Sequence, residues 1–160
     1  MFKQLGHMIN TMYPFWAFIT GVIVAQLLKP LCYFIKYRKL NLKLITAAGG
    51  FPSSHSAGVV ALSLATGLQE KFNSTVFAIT IAFAVIVIYD AANVRYYAGK
   101  NIQITKQIIK DLKNDNSITL NDEIYDSPIK DVLGHKWSEV FGGIIVGFVV
   151  AIILFIIRGY

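Results

Sequence analysis

The sequence predicts an all-α fold: one polytopic membrane bundle of about four transmembrane helices, with an amphipathic helix on one side. Three observations lead there. Of 160 residues, 55% are hydrophobic, and the mean hydropathy is +0.55. The apolar residues are gathered into runs long enough to span a bilayer. The basic residues, which set a formal net charge of +6, flank those runs. That placement suits anionic lipid head groups and argues against nucleic acid as a partner. At this length a single membrane-embedded domain over residues 1–160 is expected. Cys32 is the one cysteine and lies inside an apolar run, so it reads as a packing residue.

Residues 1–12 are short and polar, and His7 reads there as a solvated or interfacial histidine. Only Lys3 precedes the first apolar run, and no small-residue cleavage pattern follows it, so no cleaved signal is expected. The first span covers 13–35. Tyr13 and Trp16 suit an interface, and Pro30 should kink the helix or free a carbonyl. A basic loop follows, with Lys36, Arg38, Lys39 and Lys43. The turn at Gly49-Gly50 leads into a second, short span over 52–68, with Pro52 expected in its first turn. Gln69, Glu70, Lys71 and Asn73 form a tight connection to a third span over 74–97.

The segment 98–137 is different in character. Ile104, Ile108 and Leu112 recur at helical spacing with Lys106, Lys110 and Lys113 on the polar side, which predicts a separate amphipathic helix at the membrane surface. Asn114 to Ser117 should break it, and Asp126-Ser127-Pro128 should start a short helix ending near Gly134. The last span covers 138–157, where Gly142, Gly143 and Gly147 permit close helix–helix approach.

The basic loop at 36–43 and the lysine-rich segment 98–137 fall on one side of this threading. By the positive-inside rule that side is cytoplasmic, and both termini lie opposite. Four separated stretches then reach the cytoplasmic face. Pro52-Ser53-Ser54-His55 opens the second helix with free backbone N–H groups, two small hydroxyls and a group that exchanges protons near neutral pH. That is a phosphate pocket with a proton donor beside it; the plainer alternative is a helix cap. His135 and Glu139 are four apart and share a helix face. Glu139 can hold one imidazole nitrogen and leave the other free to attack or to bind a metal, or it can simply complement the helix dipole. Lys29 and Asp90 lie roughly 8–12 Å inside the bilayer at about 1.5 Å per residue. Lys29 can snorkel, but Asp90 needs a partner: Lys29, Arg95 or a histidine.

With those residues in place the chain resembles the divergent branch of the type 2 phosphatidic acid phosphatase family, membrane relatives of the vanadium haloperoxidase fold. Pro52-Ser53-Ser54-His55 is similar to the family's Pro-Ser-Gly-His, with serine for glycine. His135 and Glu139 match its His, three residues, Asp, with glutamate for aspartate. Gln26-x-x-Lys29, the stretch Tyr89 to Arg95 with Gly99, and Leu133-Gly134-His135 followed by Glu139-Val140 point to the divergent branch. The usual Ser-Arg would fall at Pro128-Ile129 and is missing, and the usual first motif is reduced to Lys29-Pro30.

The resemblance implies hydrolysis of a lipid phosphomonoester through a phosphohistidine, with no metal and no other cofactor. His135 would attack phosphorus, Glu139 would orient it, and His55 would protonate the leaving group and then activate water. Lys29, Arg95, Ser53 and Ser54 would neutralise the phosphoryl oxygens, with Gln26, Asp90 and Asn93 as supporting polar groups. The expected setting is a bacterial plasma membrane with the site at the cytoplasmic leaflet. The partners are then membrane lipids and a lipid-phosphate substrate, and a homo-oligomer stays open. Two rival readings use the same residues. One is a non-catalytic phospholipid-binding or solute-transport protein, with Lys29 and Asp90 as a coupling pair. The other is a small assembly protein that dimerises through the glycine face of the last helix.

Overall fold

Small residues decide how this chain packs. In a computed structural model describing residues 11–114 and 134–159, the apolar runs form helices α1 (Tyr13–Tyr37), α2 (Ser54–Glu70), α3 (Thr75–Tyr89), α4 (Arg95–Lys113) and α5 (Trp137–Arg158). A 3₁₀ turn, Leu42–Thr46, joins α1 to α2, and a π-helical turn, Asp90–Val94, joins α3 to α4. His7, Lys3, the 126–133 helix start and Pro128-Ile129 lie outside the described residues.

Helix α2 is the centre. Ser56, Ala57, Gly58, Ala61 and Ala65 are buried along it, so the neighbouring backbones come close. A Cβ on Gly143 would sit 2.3 Å from the Ser53 carbonyl oxygen, and one on Gly147 would sit 2.3 Å from that of Ala57. Helix α5 therefore lies directly on α2. Its glycine face is filled within the chain, which removes the surface that the dimerisation reading needs. On the other side of α2, Phe18 and Val22 of α1 fill the space over Gly58. Helix α3 packs through the Ser63 hydroxyl, 2.9 Å from both the Val59 and the Thr80 carbonyl oxygens.

Helices α1 and α3 run antiparallel to α2, while α5 runs parallel to it, and both ends are tied. At the end holding the described termini, the Tyr13 hydroxyl donates to the Ala151 carbonyl at 2.8 Å. Arg158 donates to Gln69 at 2.9 Å and stacks 5.0 Å from the centre of the Tyr13 ring. Outward positions such as Ile23, Leu27, Ile79, Phe83, Ile145 and Ile153 are exposed and apolar, as lipid contact requires.

Three expectations change. Among the described residues three helices are long and apolar enough to cross a membrane by themselves: Tyr13–Tyr37, the continuous run Thr75–Lys113, and Trp137–Arg158. Helix α2 has 17 residues, about 26 Å at 1.5 Å per residue, and is sheathed by protein more than by lipid. The amphipathic segment is not a separate helix, because the π-turn carries the third span onward without a break to Lys113. Helix α2 begins at Ser54, so Pro52 lies before the first turn. Ser53 is the cap, its Oγ accepting from the Ser56 N–H at 3.3 Å. Helix α1 stays continuous through Pro30, which leaves the Gln26 carbonyl without its usual helical donor.

Candidate functional site

At the other end of the bundle, three segments are stitched together by backbone hydrogen bonds. The Ser53 N–H donates to the Glu139 carbonyl at 2.8 Å, joining the start of α2 to α5. The His135 N–H donates to the Ala91 carbonyl at 2.9 Å, joining the approach to α5 to the π-turn. The second bond has a local cause. In an α-helix Ala91 would accept from Arg95, four residues on. Here the Arg95 N–H bonds the Asp90 carbonyl, five residues back, and the Ala91 carbonyl is left for His135. The π-turn thus creates an acceptor where the loop needs one.

Gly134 makes that approach possible. Its φ is +85°, and a Cβ there would meet the Tyr96 nitrogen at 2.3 Å. Both the left-handed backbone and the contact with the π-turn exclude a side chain.

His135 is 1% exposed. Its Nδ1 lies 2.9 Å from Oε2 of Glu139. A carboxylate only accepts, so Nδ1 carries the proton and, in the neutral ring, Nε2 keeps its lone pair. Nε2 is buried and has no hydrogen-bond partner among the described residues. The same Glu139 oxygen accepts from the Lys136 N–H at 3.4 Å. Glu139 therefore caps α5 and holds the His135 ring at once. The His55 ring lies across from His135, with centroids 5.6 Å apart and planes at 63°. His55 is exposed where His135 is buried.

The remaining candidates sit around this pair. His55 lies within electrostatic range of Arg95, Lys29 and Asp90. Asp90 finds its partner in Arg95, at 2.6 Å. Lys29 is 1% exposed, with Nζ donating to the Ala47 carbonyl at 2.8 Å, so it folds into the bundle and does not snorkel. Ser53 and Ser54 are buried, and the Ser53 oxygen is taken up by the cap and by the Ser56 hydroxyl at 3.1 Å. The N–H groups of Ser54 and His55, in the first turn, have no acceptor within the helix. Asn93 donates weakly to the Tyr89 carbonyl at 3.4 Å and lines a hollow of about 300 Å³ beside His135. The Gln26 oxygen is buried without a partner among the described residues, one turn before Lys29.

One opening at this end was not anticipated from the sequence. A cavity of about 680 Å³ is lined by Lys29, Lys36 and Lys136, by Tyr33 and Tyr37, and by Glu139. A signal was available: Lys29, Tyr33 and Lys36 stand at i, i+4 and i+7 on α1, one helix face. Lys136 passed unnoticed beside the more conspicuous His135.

A family model described as the Divergent PAP2 family matches residues 10–150. The uncharacterized membrane protein YuiD of Bacillus subtilis is 34% identical over 154 residues, covering 90% of this chain and 94% of that protein. No solved structure matches.

Proposed function

The chain is a membrane protein belonging to the divergent PAP2 family, and from that premise we propose that it hydrolyses a lipid phosphomonoester through a phosphohistidine. The observation that carries this reading is the state of His135. It is a buried imidazole with Nδ1 fixed by Glu139, Nε2 unpartnered, and a second histidine ring at 5.6 Å.

The residues divide the work as follows. His55 is the exposed ring of the pair, and on this reading it turns aside as the phosphate reaches the buried Nε2. Nε2 of His135 attacks phosphorus and the P–O bond to the lipid breaks. Glu139 stabilises the cation that forms on the ring. Protonated His55 gives its proton to the leaving alkoxide. Neutral His55 then takes a proton from water; the hydroxide attacks phosphorus, the N–P bond breaks, and phosphate leaves. Charge on the phosphoryl oxygens is met by the free N–H groups of Ser54 and His55, with Lys29 and Arg95 in electrostatic range of His55. On this reading Arg95 exchanges part of its hold on Asp90 for the substrate. The site faces the cytoplasm and both termini lie on the other side, as the basic loop at 36–43 directs.

The test is phosphate release by the purified full chain from lipid phosphates, with and without chelator. Release that survives chelation fits the histidine route; release lost with chelator points to a metal held near Asp90. A second reading is a non-catalytic phospholipid-binding or transport protein. It is favoured by the lysine cavity, which does not include His135 among its lining residues. Liposome flux without phosphate release would select it.

A further inference from the structure

The lysine cavity is not the place where Nε2 acts. Glu139 lines it and His135 does not. Glu139 holds the Nδ1 edge of the ring, and Nε2 is on the other edge. Yet the cavity is built for an anion. Lys29 heads the large side chains that are fully buried. Its ammonium has three donors, its one hydrogen bond goes to the neutral Ala47 carbonyl, and among the described residues it makes no ion pair. Glu139 is the carboxylate within electrostatic range of it, and a buried ammonium so weakly paired favours a further anion. Lys36 and Lys136 add two more positive charges to the rim, against the single carboxylate of Glu139, which is already committed to His135 and the α5 cap.

A separate apolar groove lies along the same two helices. It holds about 320 Å³ and runs past Val24 and Leu28 on α1 and Ile145, Val149 and Ile153 on α5. On α1 the groove ends at Leu28, one residue before Lys29, and on α5 it starts at Ile145, beyond Gly142. We propose that this paired site binds an anionic glycerolipid, with a phosphodiester head group on Lys29, Lys36 and Lys136 and an acyl chain between α1 and α5. Combined with the phosphatase reading, on which only this clause rests, the substrate is a lipid carrying a second phosphate besides the one removed.

The binding claim is tested without turnover. The full chain in detergent is mixed with phosphatidylglycerol, phosphatidylcholine or water-soluble glycerophosphoglycerol, and the retained ligand is read by native mass spectrometry. Wild type and His135→Ala should both retain phosphatidylglycerol about tenfold better than either of the others. Lys36→Gln/Lys136→Gln, changed at two surface positions, should lose that preference with its helical circular dichroism intact. Val149→Trp, which fills the groove, should weaken retention too. Equal retention of the two lipids, or undiminished preference in the double lysine variant, would overturn the proposal. Binding of the soluble analogue as tightly as the lipid would overturn the acyl-chain half. If no lipid phosphate is hydrolysed while phosphatidylglycerol is retained as described, the phosphatase reading fails and this one stands.

Discussion

The Nδ1 atom of His135 and the Oε2 atom of Glu139 are 2.9 Å apart; this contact sets the tautomer of the imidazole, and the same oxygen accepts from the Lys136 N–H at the start of α5. Because one oxygen serves two purposes, substitution can separate them.

Glu139→Gln keeps a side chain able to accept from the Lys136 N–H, so the helix start survives. It removes the negative charge that holds His135. Turnover should fall about 10–100-fold with little change in thermal stability. Glu139→Ala should lose the cap as well, at about 1 kcal/mol. Melting temperature and phosphate release, measured on both variants, separate the two contributions.

Gly134→Ala should be more damaging than its size suggests. The new Cβ meets the backbone of Tyr96 in a left-handed conformation, and the loop must leave the π-turn. His135 would lose its bond to Ala91. The expected result is loss of turnover together with about 1–3 kcal/mol of stability, read by activity and thermal unfolding in detergent. A variant as active and stable as wild type would contradict the proposed anchoring.

Gly143→Ala and Gly147→Ala each drive a methyl group into a carbonyl oxygen of α2. Each should destabilise the monomer by about 1–3 kcal/mol. A change in oligomeric state with unchanged monomer stability would return that face to an interface between copies.

The sidedness can be tested by labelling. In a Cys32→Ser background, Lys39→Cys should react with an impermeant maleimide in inverted vesicles and not in right-side-out ones. Asn73→Cys should do the reverse. The opposite pattern would move the site to the outer face.

Much of this arrangement was legible in the chain. Apolar runs bounded by Lys36 and by Lys71 marked the helices, because in lipid a helix is the one open-ended solution to backbone hydrogen bonding. The pairing of His135 with Glu139 followed from helical spacing. The glycines of the last helix announced a close neighbour, though not which one: Gly143 and Gly147 suit a second copy as well as α2, and only the three-dimensional path decides. The π-turn was hidden. Asp90 to Val94 carry no local signal for i→i+5 bonding, and the group that uses the freed Ala91 carbonyl, the His135 N–H, is remote in sequence. The end of α3 was misplaced for a related reason. Nothing between Arg95 and Lys113 breaks a helix, and the change from apolar to amphipathic composition is a change of surroundings, not of backbone. For Lys29 the sequence left snorkelling open beside a role inside the bundle; the bond to Ala47, supplied by the turn after α1, draws it inward.

The account rests on His135 as the nucleophile. The direct measurement is to mix the protein with a ³²P-labelled lipid phosphate, quench in base, where phosphohistidine survives, and map the label. It should appear on His135, be absent in His135→Ala along with at least about a thousandfold of the turnover, and accumulate in His55→Ala. Label on another residue, or phosphate release at the wild-type rate by His135→Ala, would contradict it.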